Sequence, residues 1–260
     1  MKYRTAAVSG QFYPESALQL RSEVNAFLTA TTEEGIHTHA LIVPHAGYCY
    51  SGGVAGCAYA YLKSIASHIT RVILLGPSHR VALQGCAVSN YEAFATPLGL
   101  IDVASECYPP LLKLGLVSSC DSAHLLEHSL EVQLPFLQCC LDNFKIVPIV
   151  VGQNSPHTIK EILNVLKVDD GSTLVVVSSD LSHYHPYQQA KILDNNTIDK
   201  ILNYDHTLTG EDACGCFSVN GLLDYAHSQR WKIKLIQKTN SGDILGSKKE
   251  VVGYASFILY

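Results

Sequence analysis

Pro44-His45-Ala46-Gly47-Tyr48, Gly76-Pro77-Ser78-His79 and Ser178-Ser179-Asp180-Leu181-Ser182-His183-Tyr184-His185 each place histidine in a polar loop that follows an apolar run. Imidazole offers a lone pair at neutral pH without strain, so these loops point to metal ligation or proton transfer. His45 and His79 are the best ligand candidates. Each lies just past a proline, which fixes the backbone from which the ring projects. A redox or Lewis-acid metal needs a third ligand and an open position. Asp180, His183, His185, Glu127, His128 and Cys214 are all candidates for that place. Glu127-His128-Ser129-Leu130-Glu131 has two readings. Glu127 or His128 reaches the same rim as a second partner or acid/base, or the carboxylates only complement the dipole of a helix opening at His128.

The stock of ligands is large. The 260 residues include 12 His and 9 Cys against one Met and one Trp. Most cysteines need no function: Cys57, Cys86, Cys107, Cys139 and Cys140 lie in apolar stretches and read as small core residues. An odd number leaves at least one thiol unpaired, and with no secretory leader the chain reads as cytoplasmic, with reduced thiols. Cys214-Gly215-Cys216 lacks the spacing of a zinc ribbon or thioredoxin motif. No phosphate loop, dinucleotide fingerprint or nucleophile elbow is present. His37 and His39 precede a strand and read as surface residues. With 47% hydrophobic and 16% charged residues, a disordered chain is excluded. A net charge of −5 gives no basis for electrostatic capture of nucleic acid or an anionic membrane. No apolar run approaches the ~20 residues that a spanning helix needs.

The elements that must hold these loops alternate in type. His37–Val43, Arg71–Leu75, Gln84–Val88, Lys145–Val151, Thr173–Val177, Trp231–Gln237 and Val251–Leu259 read as strands. Ser51–Ser67, Val103–Gly115, Ser129–Leu141, Ser155–Leu166, Tyr187–Leu202 and Asp212–Gln229 read as helices. The alternation predicts an α/β fold with a central mixed, largely parallel sheet, covered by helices on both faces. No linker or composition break divides the chain, so one domain over 1–260 is expected. If the strands are parallel, all three histidine loops lie at one rim, where open α/β sheets build their sites.

These residues also carry a resemblance. SGQFYP (Ser9–Pro14), PHAGYCYSG (Pro44–Gly52), LLGPSHR (Leu74–Arg80), EHSLEVQLPFL (Glu127–Leu137), PIVVG (Pro148–Gly152), VVSSDLSHY (Val176–Tyr184) and ACGCFSVNGLL (Ala213–Leu223) resemble, in order, the Memo family. Its prokaryotic members are labelled AmmeMemoRadiSam system protein B. The resemblance implies a fold similar to the class III extradiol dioxygenases, with one iron or copper ion. It implies His45, His79 and Cys214 as ligands, His183 as the acid/base, and Asp180, Glu127 and His128 lining the pocket. A cysteine where the dioxygenases carry a carboxylate argues against catechol ring cleavage and for metal-dependent redox chemistry on an unknown small molecule. Family members are also linked to phosphotyrosine-peptide recognition, so a binding module for a phosphorylated or acidic peptide is the competing expectation. Arg80 is the one guanidinium beside the rim motifs, and phosphate recognition usually uses Arg clusters, so that reading ranks second.

Overall fold

The computed structural model describes residues 2–29 and 36–260. Among them, the strands are β1 (Tyr3–Arg4), β2 (Ala40–Val43), β3 (Arg71–Pro77), β4 (Cys86–Val88), β5 (Ala93–Thr96), β6 (Gly99–Asp102), β7 (Ser118–Ser119), β8 (Lys145–Val151), β9 (Thr173–Ser178), β10 (His183–His185), β11 (Ile233–Asn240) and β12 (Val251–Leu259). The helices are α1 (Ala17–Phe27), α2 (Tyr48–Tyr59), α3 (Tyr108–Lys113), α4 (Asp121–Leu125), α5 (Leu134–Cys140), α6 (Pro156–Leu166), α7 (Tyr187–Leu202), α8 (Cys216–Gln229) and α9 (Ser241–Leu245).

Nine strands form the main sheet, ordered β10-β12-β2-β9-β3-β8-β4-β7 with β11 on β12. Its centre, β2-β9-β3-β8, is parallel, and β12 and β4 flank it in the antiparallel sense. Every residue of β2 and β9 is buried, and so is all of β3 except Arg71. Both faces must therefore be covered, which is why these strands read as unbroken apolar runs rather than alternating ones. Helices α1, α2 and α5 pack on one another, and α6 packs on α8. The expected α/β class with a mixed, helix-flanked sheet is borne out. A second sheet, β1-β5-β6, joins the N-terminus to the middle of the chain.

Helix boundaries differ from the sequence expectation: α2 runs Tyr48–Tyr59 rather than Ser51–Ser67, and three others shift for a local reason. No helix opens at His128: Glu131–Gln133 form a 3-10 turn and α5 starts at Leu134. Pro135 has no N–H and its ring clashes one turn back, so it fits only the first turn of a helix. Pro109 and Pro110 likewise confine α3 to Tyr108–Lys113. Helix α8 starts at Cys216, not Asp212, because the Cys214 and Gly215 amides donate to Asp180 O and Ser179 Oγ instead of entering a helix. Cys214 and Cys216 therefore do not share a helix. His39 is not a free surface residue either: it is half-buried and stacks on Trp231, ring centroids 4.7 Å apart.

Candidate metal centre

Parallel pairing sets the site. Val43 of β2 lies beside Ser178 of β9, and Leu75 of β3 beside Val177, so these three strands end together. The His45, His79 and Asp180 loops leave from that common rim. The turn at Glu127–Leu130 closes over it. Gly76 allows the approach: a Cβ there would lie 2.8 Å from Leu130 Cδ2 and Ser129 Oγ.

His45 is buried, and its ring is fixed by a network that leaves one tautomer. Gln133 Nε2 donates to Pro44 O (2.9 Å) and to Ser178 Oγ (2.8 Å). The Ser178 hydroxyl donates its single proton to Ser129 O (2.6 Å). The remaining contact, His45 Nδ1 to Ser178 Oγ at 3.0 Å, must then be donated by Nδ1–H. The Nε2 lone pair is left free, and it faces Cys214 Sγ at 3.3 Å. Burial holds the His45 ring well below the usual histidine range, and His79, His128 and His183 push it the same way. Burial likewise drives the Cys214 thiol far up, with the Asp180 charge adding to it. Without metal, the pair is a thiol donating to neutral imidazole.

Asp180 acts on the same two residues through the backbone. Its Oδ1 accepts the His45 N–H (2.8 Å), and its own N–H donates to Cys214 Sγ (3.3 Å). Burial pushes its carboxyl up to about 7, against the opposing His45 N–H bond and the His79 charge. Gly215 lets the Cys214 turn lie on the strand end, because a Cβ there would stand 2.7 Å from Ser178 O.

His79 stands at the mouth, its side chain 29% exposed. The buried Glu127 carboxylate takes its Nδ1 at 2.9 Å and its backbone N–H at 2.5 Å, and also the Ser129 N–H at 2.9 Å. Burial raises the Glu127 carboxyl, but the bonds and charge of His79 and the Ser129 N–H outweigh it and hold it at about 2. A carboxylate on Nδ1 leaves Nε2 to act as a ligand. His128 stacks on His79 at 4.7 Å and 22°, with Phe12 at 4.8 Å. Its Nδ1 is buried without a hydrogen-bond partner, 3.5 Å from Glu127 Oε1. Burial pulls its ring down to about 4, against the Glu127 charge. His45, His79 and His128 offer ligand atoms that all lie within 4.8 Å of one another, a cluster able to hold a metal ion.

His183 is half-buried and within electrostatic reach of His45 and His79; burial first, then the His79 and His185 charges, lower its pKa. It lies at a bulge: His183 and His185 pair with Val252 and Val251, leaving Tyr184 between them at φ 61° and 71% exposed. The structure thus brings His45, His79, Cys214, Glu127, His128 and Asp180 together, with His183 beside them. The sequence left His128 open as a rim residue, and the structure brings it to the two rim imidazoles; nothing signalled its stacking on His79 or the Ser178–Gln133 network. Both depend on a turn that crosses the rim from a distant part of the chain.

Comparison with known proteins decides the relationship. The family model for Memo-like protein matches residues 4–258. The chain belongs to the Memo family. Relatives called MEMO1 family protein include one from Methanosarcina mazei, 35% identical over all of both chains. Another, from Aquifex aeolicus, is 34% identical over 99% of each. A third, from Sulfolobus acidocaldarius, is 34% identical over 97% of this chain and 98% of its own. A crystal structure of an uncharacterized Escherichia coli K12 protein is similar in fold alone: TM-score 0.52, 15% identity, covering 85% of this chain and 99% of that one. The Memo-family motifs read from the sequence thus belong to a match over nearly the whole chain. Among the described residues, no helix is long and apolar enough to cross a membrane.

Proposed function

We propose that this Memo-family chain would hold one redox-active ion, iron or copper, through His45, His79 and Cys214, for metal-dependent redox chemistry on a small-molecule substrate. The observation that carries the reading is the free Nε2 of His45, its tautomer locked by Ser178, facing the Cys214 sulfur at 3.3 Å. Ligand bonds of ~2.0–2.3 Å place neighbouring donors on one ion about 3–4 Å apart, and the His45–Cys214 pair has that spacing. A thiolate among imidazoles suits a soft or redox-active ion better than a hard one. The ion, when bound, supplies electron transfer and Lewis acidity.

The chain's own residues supply the rest. Glu127 and Ser178 fix the tautomers of His79 and His45. Asp180 holds the His45 backbone and the Cys214 sulfur in one frame. His183, its ring kept neutral by burial, accepts a proton from substrate on a ring nitrogen, as a general base. His128 borders the centre rather than ligating. Elemental analysis of anaerobically purified variants tests the ligand set. H79A and C214S are expected to lose near-stoichiometric metal and H128A to keep it. Metal retained in C214S but lost from H128A would overturn the assignment in favour of three imidazoles.

A further inference from the structure

Arg4 lies far from the rim in sequence, yet its side chain is among the most buried in the protein. Nε donates to His124 O and Nη2 to Glu127 O, each at 2.6 Å. Those two carbonyls bracket the turn that leads into the site, which is closed by Glu127 N–H to His124 O. Nη1 donates to Glu131 Oε2 at 2.6 Å and to Thr5 O at 3.3 Å. Glu131, fully buried, also accepts the Ala7 and Val8 N–H groups and the Tyr13 hydroxyl. This carboxylate therefore does not serve a helix dipole; it holds the N-terminal segment.

We infer that Arg4 is a positioning residue of the metal centre, acting through Glu127. The guanidinium grips the Glu127 backbone from below, while the Glu127 carboxylate grips His79 from its N–H and Nδ1. A shift of the turn would move both carboxylate oxygens off His79. Only a planar fork with several donors reaches two carbonyls and a carboxylate at once. An ammonium keeps the charge but not the spread. The same segment carries Phe12 against the His128 ring, 4.8 Å between ring centroids.

The test is R4K, which leaves Glu131 a cationic partner, compared with Y13F, which loosens the same network without touching Glu127. The inference rests on the proposed metal reading only for its metal arm. In the metal-free protein, the His79 Nδ1–H resonance in 15N-labelled samples reports the Glu127 bond directly. R4K is expected to lose or shift that resonance and to bind Fe(II) or Cu(I) about 10–100-fold more weakly in a chelator competition, the range typical of outer partners. Y13F is expected to lower the melting temperature and leave both unchanged. Wild-type values of both in R4K, or equal changes in Y13F, would overturn the positioning role. A wild type that binds neither ion would sink the metal reading while the resonance still decides the role of Arg4. Should R4K fail to fold, R4M/E131Q removes both charges together, keeps an acceptor for one of the Ala7 and Val8 amides, and carries the same expectations.

Discussion

At the residue scale, the His45 side chain is defined by what surrounds it. Ser178 accepts from Gln133 and His45 and donates to Ser129, so one hydroxyl sets the tautomer of a ligand candidate. S178A strands two buried donors. It is expected to weaken metal binding ~10–100-fold with the fold retained, read by chelator competition and circular dichroism. The sequence marked His45 and His79 through their place after prolines at strand ends. It did not mark Ser178 or Gln133, because nothing in a strand-terminal Ser or a mid-segment Gln distinguishes a network member from ordinary polar filling. His128 was legible as a pocket residue. Its stacking on His79 was not, since it depends on where the Glu127 turn lands.

At the element scale, strand ends and close approaches carry the site. The parallel β2-β9-β3-β8 core was legible because strands buried on both faces read as unbroken apolar runs. Short strands such as β5, β6 and β10 were not legible, since their pairing rather than their composition makes them strands. The turn before α8 depends on Gly215. G215A brings a Cβ to 2.7 Å from Ser178 O and Ser179 Cβ. It is expected to destabilise the protein by ~1–3 kcal/mol in urea unfolding, as overpacking does. It should also lower metal content, because the displaced turn carries Cys214. Wild-type stability and metal content in G215A would mean that the turn relaxes freely.

At the scale of the whole molecule, a buried histidine links stability to pH. His124 Nε2–H donates to Ala87 O (2.9 Å), and its Nδ1 has no partner. Burial lowers its pKa to about 4, with Arg4 opposing the charged form and Asp121 and Glu127 favouring it. A depressed histidine gives stability that is full above the unfolded value of about 6.5 and lost as pH falls toward the folded value. Protonation of the unfolded chain alone therefore costs roughly 2 kcal/mol by pH 5 and roughly 3 by pH 4. H124Q removes this term. The wild-type loss of stability between pH 7 and pH 5, minus that of H124Q, should be about 2 kcal/mol in urea unfolding of the metal-free protein. No difference would mean that His124 ionises at its ordinary value.

By itself, the sequence determined the family, the α/β class and the rim on which His45, His79, Asp180 and His183 stand, because apolar periodicity and strand-end prolines are local signals. Only the tertiary structure decided which lone pairs are free, that Cys214 faces His45, that Glu127 holds His79, and that Arg4 holds Glu127. These relations join residues from 48 to 169 positions apart, beyond the reach of any local pattern. They exist only once the sheet has brought the strand ends together and excluded the water that would otherwise satisfy each group separately.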